Sequence, residues 1–132
     1  MDVPIEDDEL LLRQMPHSSE GERAVLGSIL RDFQCIPEVV EQLRPDDFYL
    51  PENREIYETV YSMFNLSQKV DVVTLLDKLK QNGIYKGDST AEYLYDLLRT
   101  TPTAGNVQEY IAIVKDKALL RRIAETADSI SA

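Results

Sequence analysis

A helix-start signal set directly against an apolar stripe constrains this chain more than any other feature, and the pattern recurs along its length. Within residues 16–30, Ser19 and Glu22 have the Ser-x-x-Glu spacing of a capping box. There the hydroxyl accepts from a first-turn amide and the carboxylate reaches back to the cap amide. Val25, Leu26, Ile29, Leu30 and Phe33 follow at helical spacing and give one face to bury. Pro37 suits the first position of a second helix, with Val39, Val40 and Leu43 facing inward and Pro45 ending it. Pro51 starts a third, whose stripe is Ile56, Val60 and Phe64, flanked by Tyr57, Tyr61 and Met63. Asp71 is a natural N-cap for residues 72–82, with Leu75, Leu76 and Leu79 buried and Gly83 as the stop. Ser89 and Glu92 repeat the capping-box spacing ahead of Leu94, Leu97 and Leu98. Asn106 caps the last and longest helix, in which Val107, Tyr110, Ile111, Val114, Ala118, Ile123, Ala127 and Ile130 share a broad face. No period-2 run is bounded by hairpin turns. The expected fold class is all-α: a compact multi-helix head followed by a long C-terminal helix.

With 132 residues, 43% of them hydrophobic, the chain is one domain with enough apolar content for a real core. Its formal charge of -10 repels phosphate, which argues against a main role in binding duplex DNA. The single Cys35 allows no internal disulfide, suits a reducing cytosol and reads as a small core hydrophobe. No apolar run reaches the length of a bilayer span, and the start of the chain is acidic where a signal peptide would be basic. A cytoplasmic location is expected. Residues 1–15 stand apart, with Asp2, Glu6, Asp7, Asp8 and Glu9 against Arg13. An acidic, flexible arm is expected there, with Leu10, Leu11 and Leu12 as a short helical turn or docking patch in the other reading. Pro16 closes the segment and biases Met15 away from helix.

Residues that could carry chemistry are few. The only two-glycine window, Gly83 to Gly87, lacks the spacing and the terminal Gly-Lys-Ser/Thr that cradles phosphate, and reads as a loop between helices. One histidine, His17, and one cysteine cannot assemble a zinc site, and no nucleophile stands at triad spacing. Asp46 with Asp47 and Asp7 with Asp8 read as loop and tail charges. No catalytic, cofactor or metal residues are expected in this chain.

The last helix is unlike what precedes it. Lys115, Lys117, Arg121 and Arg122 balance Glu109, Asp116, Glu125 and Asp128, so the whole negative charge lies before it. A solvated helix with local ion pairs explains the charges, each pair worth about 0.2–0.5 kcal/mol. The apolar stripe, by contrast, is longer than a compact head needs and reads as a surface for a partner.

Further blocks follow in order: Leu43-Arg-Pro45-Asp46-Asp47-Phe48-Tyr49, Asn53-Arg54-Glu-Ile56-Tyr57, Val70-Asp71-Val72-Val73-Thr74-Leu75, Tyr93-Leu94, Thr101-Pro102-Thr103-Ala104-Gly105-Asn106, Tyr110 with Ile113-Val114, and Lys117-Ala118-Leu119-Leu120-Arg121. Together with residues 16–30 they resemble, in order and spacing, the N-terminal domain of the bacterial replicative DNA helicase, the DnaB family. Each block alone could be an ordinary amphipathic helix with its turn; the ordered set is specific. Gly21 stands where that family usually has Ala, and Asn53 where it often has His.

The resemblance implies an acidic arm at 1–15, a helical head at 16–105, and at 106–132 the first arm of a hairpin that pairs with a neighbour's. It implies a non-catalytic collar in a hexamer, with primase as a docking partner and a helicase loader as a further one. Engagement of DNA, and the ATP and Mg that drive it, belong in that family to a separate motor domain. The partner-facing residues it implies are Tyr93, Val107, Ile111, Val114, Ala118, Ile123 and Ile130, with those of the last helix incompletely covered. Two other readings stay open, the helicase-binding helical domain of a primase and a small acidic helical enzyme or regulator.

Overall fold

The computed structural model describes residues 15–131, with side chains through residue 128. Residues 1–14 of the expected arm, and the Ile130 side chain, lie outside the described residues. Among the described residues six α-helices run in order: Ser19–Arg31 (α1), Ile36–Gln42 (α2), Pro51–Asn65 (α3), Val72–Gln81 (α4), Asp88–Thr100 (α5) and Val107–Ser131 (α6). Short 3-10 turns at Phe33–Cys35 and Pro45–Asp47 join them, and there is no strand among the described residues. None of the described helices is long and apolar enough to cross a membrane.

The central element is α1, against which α5 and α6 both pack. Val25, Leu26, Ile29 and Leu30 are all buried along it, as their spacing predicts, and each such side chain contributes about 1.5–3 kcal/mol. At Gly27 the helix meets α5 so closely that no Cβ would fit. Two cross-links fix the crossing further along. Arg23 pairs with Asp96 at 2.5 Å, and Arg31 donates to the carbonyls of Thr101 (2.9 Å) and Leu98 (2.7 Å) at the end of α5. The second contact supplies donors to carbonyls that a helix end leaves without partners.

Helix ends follow local chemistry with two shifts. Asp71 caps α4, its carboxylate accepting from the Thr74 amide while the Thr74 hydroxyl accepts from the Asp71 amide, both at 2.8 Å. Gly83, at φ 73°, lies just past the end of α4, in the left-handed conformation that glycine adopts without penalty. The first helix is capped by Ser18 and not by Ser19: the Ser18 hydroxyl accepts from the Gly21 amide at 2.9 Å. The start of α5 departs likewise. Gly87, at φ 72°, turns the chain into the helix before Ser89 can cap it, and the Ser89 hydroxyl donates instead to the Lys86 carbonyl.

On α3 the buried row is Ile56, Tyr57, Val60 and Met63, while Phe64, expected in the stripe, is exposed. Tyr57 takes the central place because its ring packs on Phe48 at 4.5 Å and its hydroxyl reaches the Leu43 carbonyl at 2.7 Å. A buried phenol needs such a partner. Cys35 is buried in the core, as expected, and burial pushes its thiol up to about 11.

Candidate partner interface

Glu22, read from sequence as the local partner of a capping serine, is buried and turned away from its own helix. Its carboxylate accepts from the amides of Tyr49 (2.7 Å) and Leu50 (3.2 Å) and from Asn53 Nδ2 (3.0 Å). These donors lie at the start of α3, where amides have no partner within the helix and the helix dipole favours an anion. Glu22 thus caps α3 from α1. No local signal could have shown it, since the donors are 27 to 31 residues away.

Asn53 carries the link outward, its Oδ1 accepting from the Tyr93 hydroxyl on α5. The Arg23 guanidinium lies 5.2 Å over the Tyr93 ring, held there by its bond to Asp96. Burial raises the Tyr93 hydroxyl above its ordinary pKa, and the Arg23 charge opposes that rise. Half-buried, Tyr93 forms a wall between two clefts. One, of 230 Å³, lies toward α3 and is lined by Glu52, Glu55, Ile56, Ile84 and Lys86. The other, of 800 Å³, lies along α5 and is lined by Ala91, Glu92, Tyr95, Asp96 and Arg99.

The last helix corrects the sequence reading. Val107, Ile111, Val114 and Ala118 were expected to be incompletely covered, yet their exposures are 4%, 1%, 1% and 1%. Their spacing of four, three and four residues puts them in one row, and that row closes the core against α1 and α2 instead of facing outward. Arg121 continues the row and is buried too. It donates to the carbonyls of Pro16 (2.7 Å) and Asp47 (2.8 Å) and lies 5.1 Å over the Tyr49 ring, whose neighbour is the His17 ring at 4.5 Å. Burial lowers the Arg121 pKa, against the pull of Glu22 and Asp47. Beside it Arg122 pairs with Asp47 at 2.9 Å. Asp47, expected as a loop charge, is therefore a buried anchor for the helix, whereas Asp46 is exposed.

A different apolar row remains uncovered on α6. Ile113, Leu119, Leu120 and Ile123 are exposed, Ile123 at 57%. Leu120 and Ile123 are three apart and lie on the side away from the buried row, while Ile113, seven before Leu120, is exposed at the edge where α6 passes Gly21 of α1. Of the expected partner-facing residues, Ile123 is exposed and Tyr93 partly so. Among the described residues, no group of three or more His, Cys, Asp or Glu could hold a metal ion.

Comparison with known proteins places this arrangement. The family model described as DnaB-like helicase N terminal domain matches residues 14–116. The chain is 36% identical over 118 residues to the replicative DNA helicase DnaB of Mycobacterium leprae, covering 89% of this chain and 20% of that protein. It is 34% identical over 119 residues to the replicative DNA helicase DnaC of Bacillus subtilis, covering 90% of this chain and 26% of the relative. The chain thus spans about a fifth to a quarter of the length of these relatives. Among solved structures, the N-terminal domain of DnaB helicase from Mycobacterium tuberculosis superposes with a TM-score of 0.82 at 36% identity, covering 89% of this chain and 84% of that one. The N-terminal domain of DnaB helicase from Helicobacter pylori, described together with its interactions with primase, gives 0.70 at 25% identity, with 91% of each chain covered.

Proposed function

The chain belongs to the DnaB-like helicase N-terminal domain family, and on that premise we propose that it is the non-catalytic collar module of a hexameric replicative DNA helicase, serving assembly of the ring and docking of primase. The observation that carries the reading is the second apolar face of α6. One face of the helix is spent on the core, and Ile113, Leu119, Leu120 and Ile123 remain in contact with water on the other. Contiguous apolar surface of this kind marks a site of association. In the hexamer it pairs with a neighbouring collar, and Tyr93 with the outer part of α6 faces primase; that primase is a partner at all is supported by the interactions reported for the Helicobacter pylori relative. ATP, Mg and the main contacts with DNA belong to a motor in the full-length protein, and a helicase loader is a further partner. The helicase relatives give no support to the reading as a helicase-binding domain of a primase.

Two measurements on this chain test the proposal. Sedimentation over a range of concentrations should show self-association that Ile123→Asp weakens. Titration with purified primase should show binding that Tyr93→Ala weakens about tenfold or more, the loss expected for an aromatic anchor. If neither substitution changes either measurement, the interface lies elsewhere on the domain.

A further inference from the structure

We propose, building on the reading of Tyr93 as a primase-facing residue, that Asn53 is a positioning residue that holds the Tyr93 ring in the orientation its partner meets. Asn53 is fully buried, with Nδ2 donating to Glu22 at 3.0 Å and Oδ1 accepting from the Tyr93 hydroxyl. Glu22 fixes the direction of this relay. An ionised carboxylate only accepts, so the amide must turn its NH₂ toward Glu22 and its oxygen toward Tyr93, and the phenol must donate. Glu22 is itself locked by the Tyr49 and Leu50 amides, so the amide has no second orientation with equal bonding.

Tyr93 is therefore gripped at two points, its hydroxyl by Asn53 and one ring face by Arg23. The ring cannot swing into either neighbouring cleft without breaking the hydroxyl bond. A partner that packs against a wall already in place does not have to order it, which favours affinity. Asn suits this position because it donates on one side and accepts on the other. Asp would set a second acceptor against Glu22. A neutral imidazole, with one donor and one acceptor nitrogen, could take over the relay.

The test combines a structural readout on the free chain with primase affinity. In the free chain carrying ¹³C-labelled tyrosine, Asn53→Ala should move the Tyr93 ring signals and speed its ring flipping. The same substitution should weaken primase binding about fivefold, the worth of one neutral hydrogen bond. Tyr93→Phe should weaken it to the same degree, and the double variant no further, because both remove the same bond between Asn53 and the Tyr93 hydroxyl. Asn53→His should restore affinity at neutral pH. Unchanged Tyr93 signals in Asn53→Ala would overturn the positioning role. So would losses that add in the double variant. If Asn53→Ala does not fold, Tyr93→Phe decides on primase affinity and Asn53→His on both affinity and the Tyr93 ring signals. Should Tyr93→Ala leave primase binding intact, the reading of the surface falls, and the positioning role is then judged on the ring signals alone.

Discussion

A Cβ built on Gly27 of α1 would lie 2.1 Å from the Thr101 hydroxyl and 2.7 Å from the Leu97 carbonyl oxygen at the end of α5. Part of what it meets is backbone, so the neighbour cannot yield by changing rotamer. Gly27→Ala should therefore destabilise the fold by about 3 kcal/mol or more, the range of overpacked cores, despite alanine's better helix propensity. At Gly83 nothing lies within 4 Å of the added carbon, and the only cost of Gly83→Ala is its φ of 73°, about 1 kcal/mol. Chemical denaturation of the two variants should rank them in that order. Equal midpoints would mean that α1 and α5 are not in contact at Gly27.

Removing the carboxylate of Glu22 should cost more than any exposed glutamate. Glu22→Gln puts an NH₂ group among three donors, and about 2–4 kcal/mol of stability should be lost. Glu55→Gln, on the exposed side of α3, should stay within about 0.5 kcal/mol of the parent. Amide hydrogen exchange adds a local check, since the Tyr49 and Leu50 amides should lose protection in Glu22→Gln. Retained protection there would show that α3 is capped without Glu22.

Along α6, Val114→Asp and Ile123→Asp should behave in opposite ways although both introduce the same charge. Val114 is core, and an unpaired carboxylate there should cost about 4–5 kcal/mol and leave little folded chain. Ile123 faces water, so its substitution should shift stability by about 0.5 kcal/mol or less. Thermal melts followed by circular dichroism separate the two. If Ile123→Asp also unfolded the chain, the uncovered face of α6 would belong to the core.

Cys35 gives a pH signature. Its thiol rises from 9.0 to about 11 on folding because burial disfavours the thiolate. The sign follows from linkage: the folded chain holds the proton longer than the unfolded one. The stability this contributes is present below pH 9 and is lost between pH 9 and about 11. Cys35→Ser removes the thiol and should flatten that decline in a pH series of denaturation curves. At pH 8 a thiol reagent should label the folded chain only as fast as it opens. Rapid labelling of native protein would contradict the burial of Cys35.

What the sequence determined by itself is the order and the approximate bounds of the helices, because their signals are local. Asp71 and Thr74 are three residues apart and exchange hydrogen bonds across one turn, so the cap of α4 can be read without knowing the fold. The stripes of α1 and α4 were legible for the same reason. Tertiary structure decided the rest. Glu22 has a sequence neighbour that could have used it, yet unsatisfied amides at the start of α3, brought close by packing, offered a charged group three donors in a dry place. On α6 the periodicity put Val107, Ile111, Val114 and Ala118 on one face with Ile123, but only the first four are buried and Ile123 is exposed on another side of the helix. Which face turned inward was settled by what α1 and α2 offered it and by Arg121, whose guanidinium found the Pro16 and Asp47 carbonyls 105 and 74 residues away. Periodicity records that a side chain avoids water; only the packed chain supplies the neighbour that covers it.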